Sequence, residues 1–112
     1  ALARYYPRYL REYEKHGVFI DYLSLFNEQD IYTEIPYNEI AIFLKEHVGP
    51  LLKKEGIRTR IMLSEAPNRE DAARNYPLVL DDPAARQYVS VVPYHVYDDI
   101  DWDKILNSHR QY

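Results

Sequence analysis

The side chains of this sequence best placed for chemistry are an amide and a carboxyl group, Asn27 and Glu28, which follow an apolar segment that ends at Phe26. A strand that ends in this way holds both side chains at the rim of a sheet, where a rigid element can aim them at a ligand. The active sites of α/β enzymes lie at such a rim. A carboxyl group beside aromatic rings can keep its proton near neutral pH, and Glu28 is therefore a candidate general acid. The alternative is that Asn27 and Glu28 simply begin a solvated loop.

Polar side chains follow two later apolar segments in the same manner. Ser64 and Glu65 come directly after the segment 59–63, and His95 comes after the segment 89–94. Parallel strands end on the same side of their sheet, so we expect these side chains to meet the first pair on one face.

A carboxylate pair and a histidine offer chemistry at that face. Hydrolysis of a glycosidic bond needs an acid and, where configuration is retained, a second carboxylate about 5 Å away. Neighbouring strands lie about 4.8 Å apart, so Glu28 and Glu65 could form such a pair, although a partner or solvated role for Glu65 is favoured. His95 is either a hydrogen-bonding residue of a cleft or a satisfied core histidine. The three other histidines show no metal-ligand spacing, so we expect neither a metal nor a cofactor.

Helical and strand patterns alternate along the chain, which predicts an α/β fold with parallel strands joined by right-handed crossovers. The run 18–26 is expected to be a strand buried on both faces. Asn38 is expected to cap the second helix, Gly49-Pro50 to kink it, and Pro93 to mark either the end of the third strand or a bulge. The expected elements are helix 7–16, strand 18–26, helix 38–56, strand 59–63, helical material 69–80, a short helix from Asp82, strand 89–94, and a helix from about Asp101. The helical material 69–80 is expected to be interrupted at Tyr76-Pro77, and the short helix is expected to be capped by Asp82 with Pro83 at its first position.

The composition indicates a folded domain with a packed core, since 46% of the 112 residues are apolar and 29% are charged. A net charge of −4 without a Lys/Arg cluster disfavours nucleic acid as a partner. The apolar runs are too short to span a bilayer. No signal-peptide pattern is present in this segment, and a secreted or a cytoplasmic location both remain open. The twelve tyrosines suit a sugar-binding cleft as well as the edges of a core.

Four short motifs occur in a fixed order along this chain. They are Asn27-Glu28 at a strand end, the helix end 49–56, the helix start Asp82-Pro83-Ala84-Ala85, and Tyr94-His95-Val96-Tyr97. Together they resemble glycoside hydrolase family 30, which contains the glucosylceramidases, the β-1,6-glucanases and related xylanases. The resemblance covers nearly the whole chain, from about residue 9 to residue 98. The family usually has proline where this chain has Gln29, and Pro93 replaces a residue better suited to a strand.

The resemblance implies a fold. Members of the family have a (β/α)8 TIM barrel, so this chain would be a partial barrel of about three β/α units, the fourth to sixth of eight. Residues 1–112 would then be a fragment of a catalytic domain that needs the remainder of the barrel.

The resemblance also implies an activity, the hydrolysis of β-glycosidic bonds in an oligosaccharide or glycoconjugate with retention of configuration. Glu28 would be the acid/base, Asn27 would hydrogen-bond the 2-hydroxyl of the sugar, and His95 and Tyr97 would line the cleft. Tyr32 is a further candidate for substrate contact, because it lies in the loop after the first strand.

The nucleophile of such an enzyme, a glutamate after the seventh strand, is expected beyond the last residue of this chain. The 112 residues alone are therefore expected to be inactive. The alternative interpretation is an α/β domain that binds carbohydrate or a protein partner without catalysis.

Overall fold

The computed structural model describes residues 1–29, 34–96, 107 and 110. Of the helix expected from about Asp101, the described residues are Asn107 and Arg110, and both are helical. Within them, helices and strands alternate as expected, and the chain forms a small α/β unit. The elements are α1 (Leu2–Lys15), β1 (Tyr22–Ser24), α2 (Tyr37–Ile42), a π-helical segment (Phe43–Val48), α3 (Gly49–Lys54), β2 (Arg60–Met62), α4 (Arg69–Asn75), α5 (Pro77–Leu80), α6 (Pro83–Arg86) and β3 (Val89–Val91).

The three strands form a parallel sheet in the order β1, β2, β3, which confirms the expected strand direction. Each strand is three residues long, shorter than the sequence predicts. Strand β3 ends at Val91, two residues before Pro93, so the expectation that this proline marks the strand end is confirmed. Two isolated parallel bridges extend the pairing toward the carboxyl ends of the strands. They join Asn27 to Glu65 and Ala66 to Tyr94.

The expectation of a long first strand buried on both faces is wrong. Val18 is exposed, Phe19 is 73% exposed, and the first strand residue, Tyr22, is also exposed. Pairing with the second strand begins where the Arg60 N–H donates to the carbonyl of Asp21, at 2.9 Å. Apolar residues before that point have no neighbouring strand within the described residues, and for this reason their hydrophobic character does not make them part of the sheet.

Helix α1 begins five residues earlier than the sequence predicts, because Leu2, Ala3 and Arg4 are good helix formers. Pro7 therefore lies inside the helix. It removes a single backbone hydrogen bond near the first turn, the one that would reach the carbonyl of Ala3. The helix buries Tyr6, whose hydroxyl donates to the carbonyl of Leu25, at 2.6 Å. This bond fixes α1 against the end of β1.

The second helical stretch contains an irregular turn. The expected cap by Asn38 is wrong, because Pro36 occupies the N-cap position and no side chain caps this end. The kink expected at Gly49-Pro50 stays a prediction, and a π-helical segment, Phe43–Val48, directly precedes these two residues. Pro50 has no N–H for the carbonyl of residue 46, and the wider turn accommodates this loss while the Gly49 N–H donates to the carbonyl of Leu44.

Glycine is required at position 49 because another side chain packs on it. An added Cβ there would lie 2.5 Å from the Tyr88 ring and 2.6 Å from the carbonyl oxygen of Leu44. The close approach locks the start of α3 to the residue that precedes β3.

The shorter helices confirm two sequence expectations. The helical segment 69–80 is interrupted at Tyr76-Pro77, which separates α4 from α5. Asp82 caps α6 by accepting a hydrogen bond from the Ala84 N–H, at 2.9 Å, and Pro83 occupies the first helical position.

The core lies where the long helical stretch meets the sheet and the short helices. The helical stretch contributes residues at every fourth position, which is the spacing of one helix face. Its fully or almost fully buried members are Ile40, Leu44, Val48 and Leu52, and they join Leu25, Ile61, Leu63, Val79 and Leu80 in one cluster. In the described part of the chain, no helix has the length and apolar character that crossing a membrane requires.

Candidate active site

Backbone hydrogen bonds join the carboxyl ends of β1 and β2 next to Glu28, the candidate acid. The Glu28 N–H donates to the carbonyl of Glu65 at 2.8 Å, and the Glu65 N–H donates to the carbonyl of Phe26 at 2.9 Å. Asn27 forms a parallel bridge with Glu65. These bonds hold Asn27 and Glu28 at the rim of the sheet and not in a freely solvated loop.

Glu28 has an unusual backbone conformation. Its φ is +44°, in the left-handed region that side chains with a Cβ rarely adopt. The residue is 7% exposed, so it is also well buried. Conformations of this kind cost on the order of 1–3 kcal/mol and concentrate at active sites and ligand clamps. The rest of the fold holds Glu28 in this conformation.

The imidazole ring of His95 lies between two carboxylates. Its Nδ1 is 2.6 Å from Oε1 of Glu28, and its Nε2 is 3.0 Å from Oε2 of Glu65. The three side chains are about one tenth to one quarter exposed, so the cluster is sheltered but still reachable from solvent. The role of Glu65 as a hydrogen-bonding partner, which the sequence favours, matches this geometry.

The charge state of His95 follows from these contacts. Hydrogen bonds to Glu28 and then to Glu65 raise the pKa of His95 above its ordinary value, and partial burial opposes this shift. In the imidazolium form both ring nitrogens donate, one to each carboxylate. The contact with Glu28, at 2.6 Å, is the shorter of the two.

Two polar residues beside the cluster are directed into the protein. Ser64 is fully buried, and its hydroxyl has no hydrogen-bond partner among the residues that the structure describes. Gln29 is also fully buried, directly after Glu28. The sequence suggested a rim position for Ser64, and this expectation is wrong. The Glu34 N–H donates to the Gln29 carbonyl at 2.7 Å.

Two of the candidate substrate-binding residues lie outside the described residues. These are Tyr32, in the loop after β1, and Tyr97, after β3. Asn27, Glu28 and His95 do come together, as the sequence predicts. Among described side chains, no group of three or more His, Asp or Glu residues is arranged to hold a metal ion.

Two curated relatives match the chain over almost its whole length. An endo-1,6-β-D-glucanase of Trichoderma harzianum is 28% identical over 120 residues, covering 100% of this chain and 24% of the relative. An endo-1,6-β-D-glucanase of Neurospora crassa is 26% identical over 115 residues, covering 96% of this chain and 23% of the relative. The chain thus spans about a quarter of the length of these relatives. No family model matches it.

Two solved structures share the fold. An endo-β1,6-glucanase superposes with a TM-score of 0.85 and 24% identity, covering 98% of this chain and 26% of that protein. A glycoside hydrolase family 30 subfamily 8 xylanase from Clostridium acetobutylicum superposes with a TM-score of 0.71 and 23% identity, covering 96% of this chain and 28% of that protein. The expected resemblance to glycoside hydrolase family 30 is confirmed by these four proteins. The family has a TIM-barrel fold, and a small α/β unit with three parallel strands is compatible with part of such a barrel.

Proposed function

We propose that this chain supplies Glu28 as the acid/base of a retaining glycoside hydrolase that cleaves β-glycosidic bonds. The observation that carries the proposal is the geometry of Glu28, a buried carboxyl group at a strand end with its Oε1 2.6 Å from His95. The names of the relatives, glucanases and a xylanase, support the same reaction class.

The proposed reaction has two steps. Protonated Glu28 gives its proton to the glycosidic oxygen while a carboxylate of the complete enzyme, outside this chain, attacks the anomeric carbon. The bond to the leaving group breaks, and a glycosyl-enzyme forms. Glu28, now a carboxylate, then removes a proton from water as the water attacks the anomeric carbon and releases the sugar and the nucleophile.

His95 supports Glu28 in both steps. Its Nδ1 is bonded to Oε1, which leaves Oε2 of Glu28 for the glycosidic oxygen or the water. The proton that protonated Glu28 transfers is carried on Oε2, and the Nδ1–H of His95 donates to Oε1, where it orients the carboxyl group and stabilises the carboxylate that remains after the transfer. Asn27 at the same rim would hydrogen-bond the 2-hydroxyl of the sugar, and Tyr32 and Tyr97 would line the cleft.

Glu65 is not the nucleophile of this proposal. The His95 ring fills the space between Glu28 and Glu65, bonded to one carboxylate on each side. The anomeric carbon of a sugar has no room between them. The nucleophile is therefore assigned to another strand of a complete barrel.

A β-1,6-linked glucan is the first substrate to test, because both curated relatives are named for that linkage. The experiment incubates the complete protein with β-1,6-glucan, β-1,3-glucan and β-1,4-xylan and records the products by NMR before mutarotation. We expect cleavage of the β-1,6-glucan with the β anomer appearing first. An α anomer as first product would contradict the retaining mechanism, and binding without cleavage of any of these polymers would favour a non-catalytic carbohydrate-binding domain.

A further inference from the structure

We propose that the hydroxyl of Tyr76 is a positioning group for the reaction, holding His95 and Glu65 in the geometry that serves Glu28. Tyr76 is a buried residue, 3% exposed. This inference rests on the proposed function and adds to it a residue that acts through the sheet. None of the four motifs that resemble the family includes Tyr76.

The hydroxyl of Tyr76 is bonded to the backbone on both sides of Glu65. It accepts a hydrogen bond from the Ala66 N–H at 3.0 Å and lies 2.9 Å from the carbonyl of Ser64. Because residues 64 and 66 are both held by one side chain, the direction in which Glu65 leaves the backbone is fixed.

The same hydroxyl also reaches the third strand. It is hydrogen-bonded to the carbonyl of Pro93, two residues before His95. The phenol has one proton, so it donates to the carbonyl of either Ser64 or Pro93 at a given moment while it accepts from Ala66. Tyr76 therefore links the ends of β2 and β3 through a single buried atom.

This link occupies a gap in the hydrogen bonds between the two strand ends. On one side of the gap the Leu63 N–H donates to the carbonyl of Val91, and on the other the His95 N–H donates to the carbonyl of Ala66, each at 2.9 Å. Between these two bonds, the N–H of Ala66 and the carbonyl of Pro93 are joined through the hydroxyl instead of to each other. The tyrosine thus sets the spacing at the point from which His95 projects toward Glu28.

Loss of the hydroxyl would leave a buried N–H and a buried carbonyl without this shared partner. The strand ends would then settle at a different spacing, and the His95 ring would no longer meet both carboxylates at 2.6 and 3.0 Å. Small displacements of this kind reduce catalysis strongly when they affect a group that transfers a proton.

The test is Tyr76→Phe in the complete protein, with Tyr6→Phe as the matched control. Tyr6 is also a buried tyrosine whose hydroxyl binds a strand-end carbonyl, that of Leu25. For Tyr76→Phe we expect kcat on substrates with poor leaving groups to fall about 10-fold to 100-fold, with KM almost unchanged. Activated aryl β-glycosides should lose much less, because they need little help from the acid. Tyr6→Phe should leave the ratio between the two substrate classes unchanged.

A second readout is independent of activity. The pKa of His95, measured by NMR titration of the ring, should fall in Tyr76→Phe because its hydrogen bonds to the two carboxylates lengthen, and it should not move in Tyr6→Phe. An unchanged titration of His95 in folded Tyr76→Phe overturns the inference even if the protein proves not to be a glycosidase. If the pKa of His95 does shift in Tyr76→Phe but the complete protein has no glycosidase activity, the proposed function alone is contradicted.

A second variant covers the case in which Tyr76→Phe does not fold. Tyr94→Gly, compared with Tyr94→Ala so that the loss of the ring cancels, keeps the Tyr76 hydroxyl and the Pro93 carbonyl that binds it, but it frees the backbone between that bond and His95. We expect the same pattern in weaker form, namely a lower pKa of His95 and a selective loss on poor leaving groups. Equal values for Tyr94→Gly and Tyr94→Ala would refute the inference.

Discussion

Replacing Glu28 by glycine should give a more stable protein than replacing it by alanine. Both variants lose the carboxylate and its bond to His95, so this loss cancels when they are compared with each other. What remains is the backbone, held at a φ of +44°. Alanine carries the Cβ that makes this conformation unfavourable, whereas glycine adopts it freely. The glycine variant is therefore expected to be more stable by about 1 kcal/mol.

The matched control is Glu39, an exposed glutamate in helix α2. There the sign reverses, because glycine in a helix is about 1 kcal/mol less favourable than alanine. Chemical denaturation of all four variants in the complete protein gives the two differences in free energy of unfolding. If Glu28→Gly is no more stable than Glu28→Ala while the Glu39 pair behaves as expected, the strain assigned to Glu28 is refuted.

Three further outcomes follow from the structure. The pKa of His95 is raised in the folded protein, so the stability that its two hydrogen bonds contribute is fully present below the unfolded pKa of about 6.5. This stability is lost as the pH rises through the higher folded pKa. His95→Gln should therefore destabilise the complete protein more at about pH 5.5 than at about pH 9. Equal losses at both pH values in denaturation curves would contradict this. Gly49→Ala should lower the free energy of unfolding by about 1–2 kcal/mol, because the overlap of the added Cβ with Tyr88 and the Leu44 carbonyl outweighs the helical preference of alanine. A stabilised variant in the same assay would contradict the packing described. Residues 1–112 expressed alone should associate, which light scattering would show, and they should not hydrolyse an activated aryl β-glycoside. A monomer that hydrolyses this substrate would contradict the need for the rest of a barrel.

Much of the topology could be predicted from the sequence, because it depends on local signals. The order of helices and strands follows from the hydrophobic periodicity, and the parallel direction follows from the helices between the strands. The break at Tyr76-Pro77 and the cap at Asp82 follow from proline and aspartate chemistry. The extent of the strands could not be predicted, because the burial of Val18 and Phe19 depends on neighbours that a single apolar run does not specify.

The candidate site could be predicted in outline for the same reason. Parallel strands that end in Asn27-Glu28, in Glu65 and near His95 must bring these residues to one rim. The position of the His95 ring between two carboxylates depends on distances of a few tenths of an ångström, which spacing in the sequence does not determine. The left-handed conformation of Glu28 had no local signal either, since neither glycine nor asparagine stands at that position.

The proposed positioning role of Tyr76 could not be predicted from the sequence, for a different reason. It lies between two short helices, far along the chain from Glu28, and an apolar position in a helical pattern is usually a core position. Only the contacts of its hydroxyl with Ala66 and with Pro93 distinguish it from other buried tyrosines.

The most direct test of the central claim is the leaving-group dependence of Glu28→Gln in the complete protein. If Glu28 is the acid/base, kcat/KM for substrates with poor leaving groups should fall about 10²- to 10⁴-fold, because the bond then breaks without protonation. Activated aryl β-glycosides should form the glycosyl-enzyme at a nearly normal rate, and Glu39→Gln, at an exposed position, should change neither class. An equal loss for both classes of substrate, or no loss for either, would contradict the assignment of Glu28 as the acid/base.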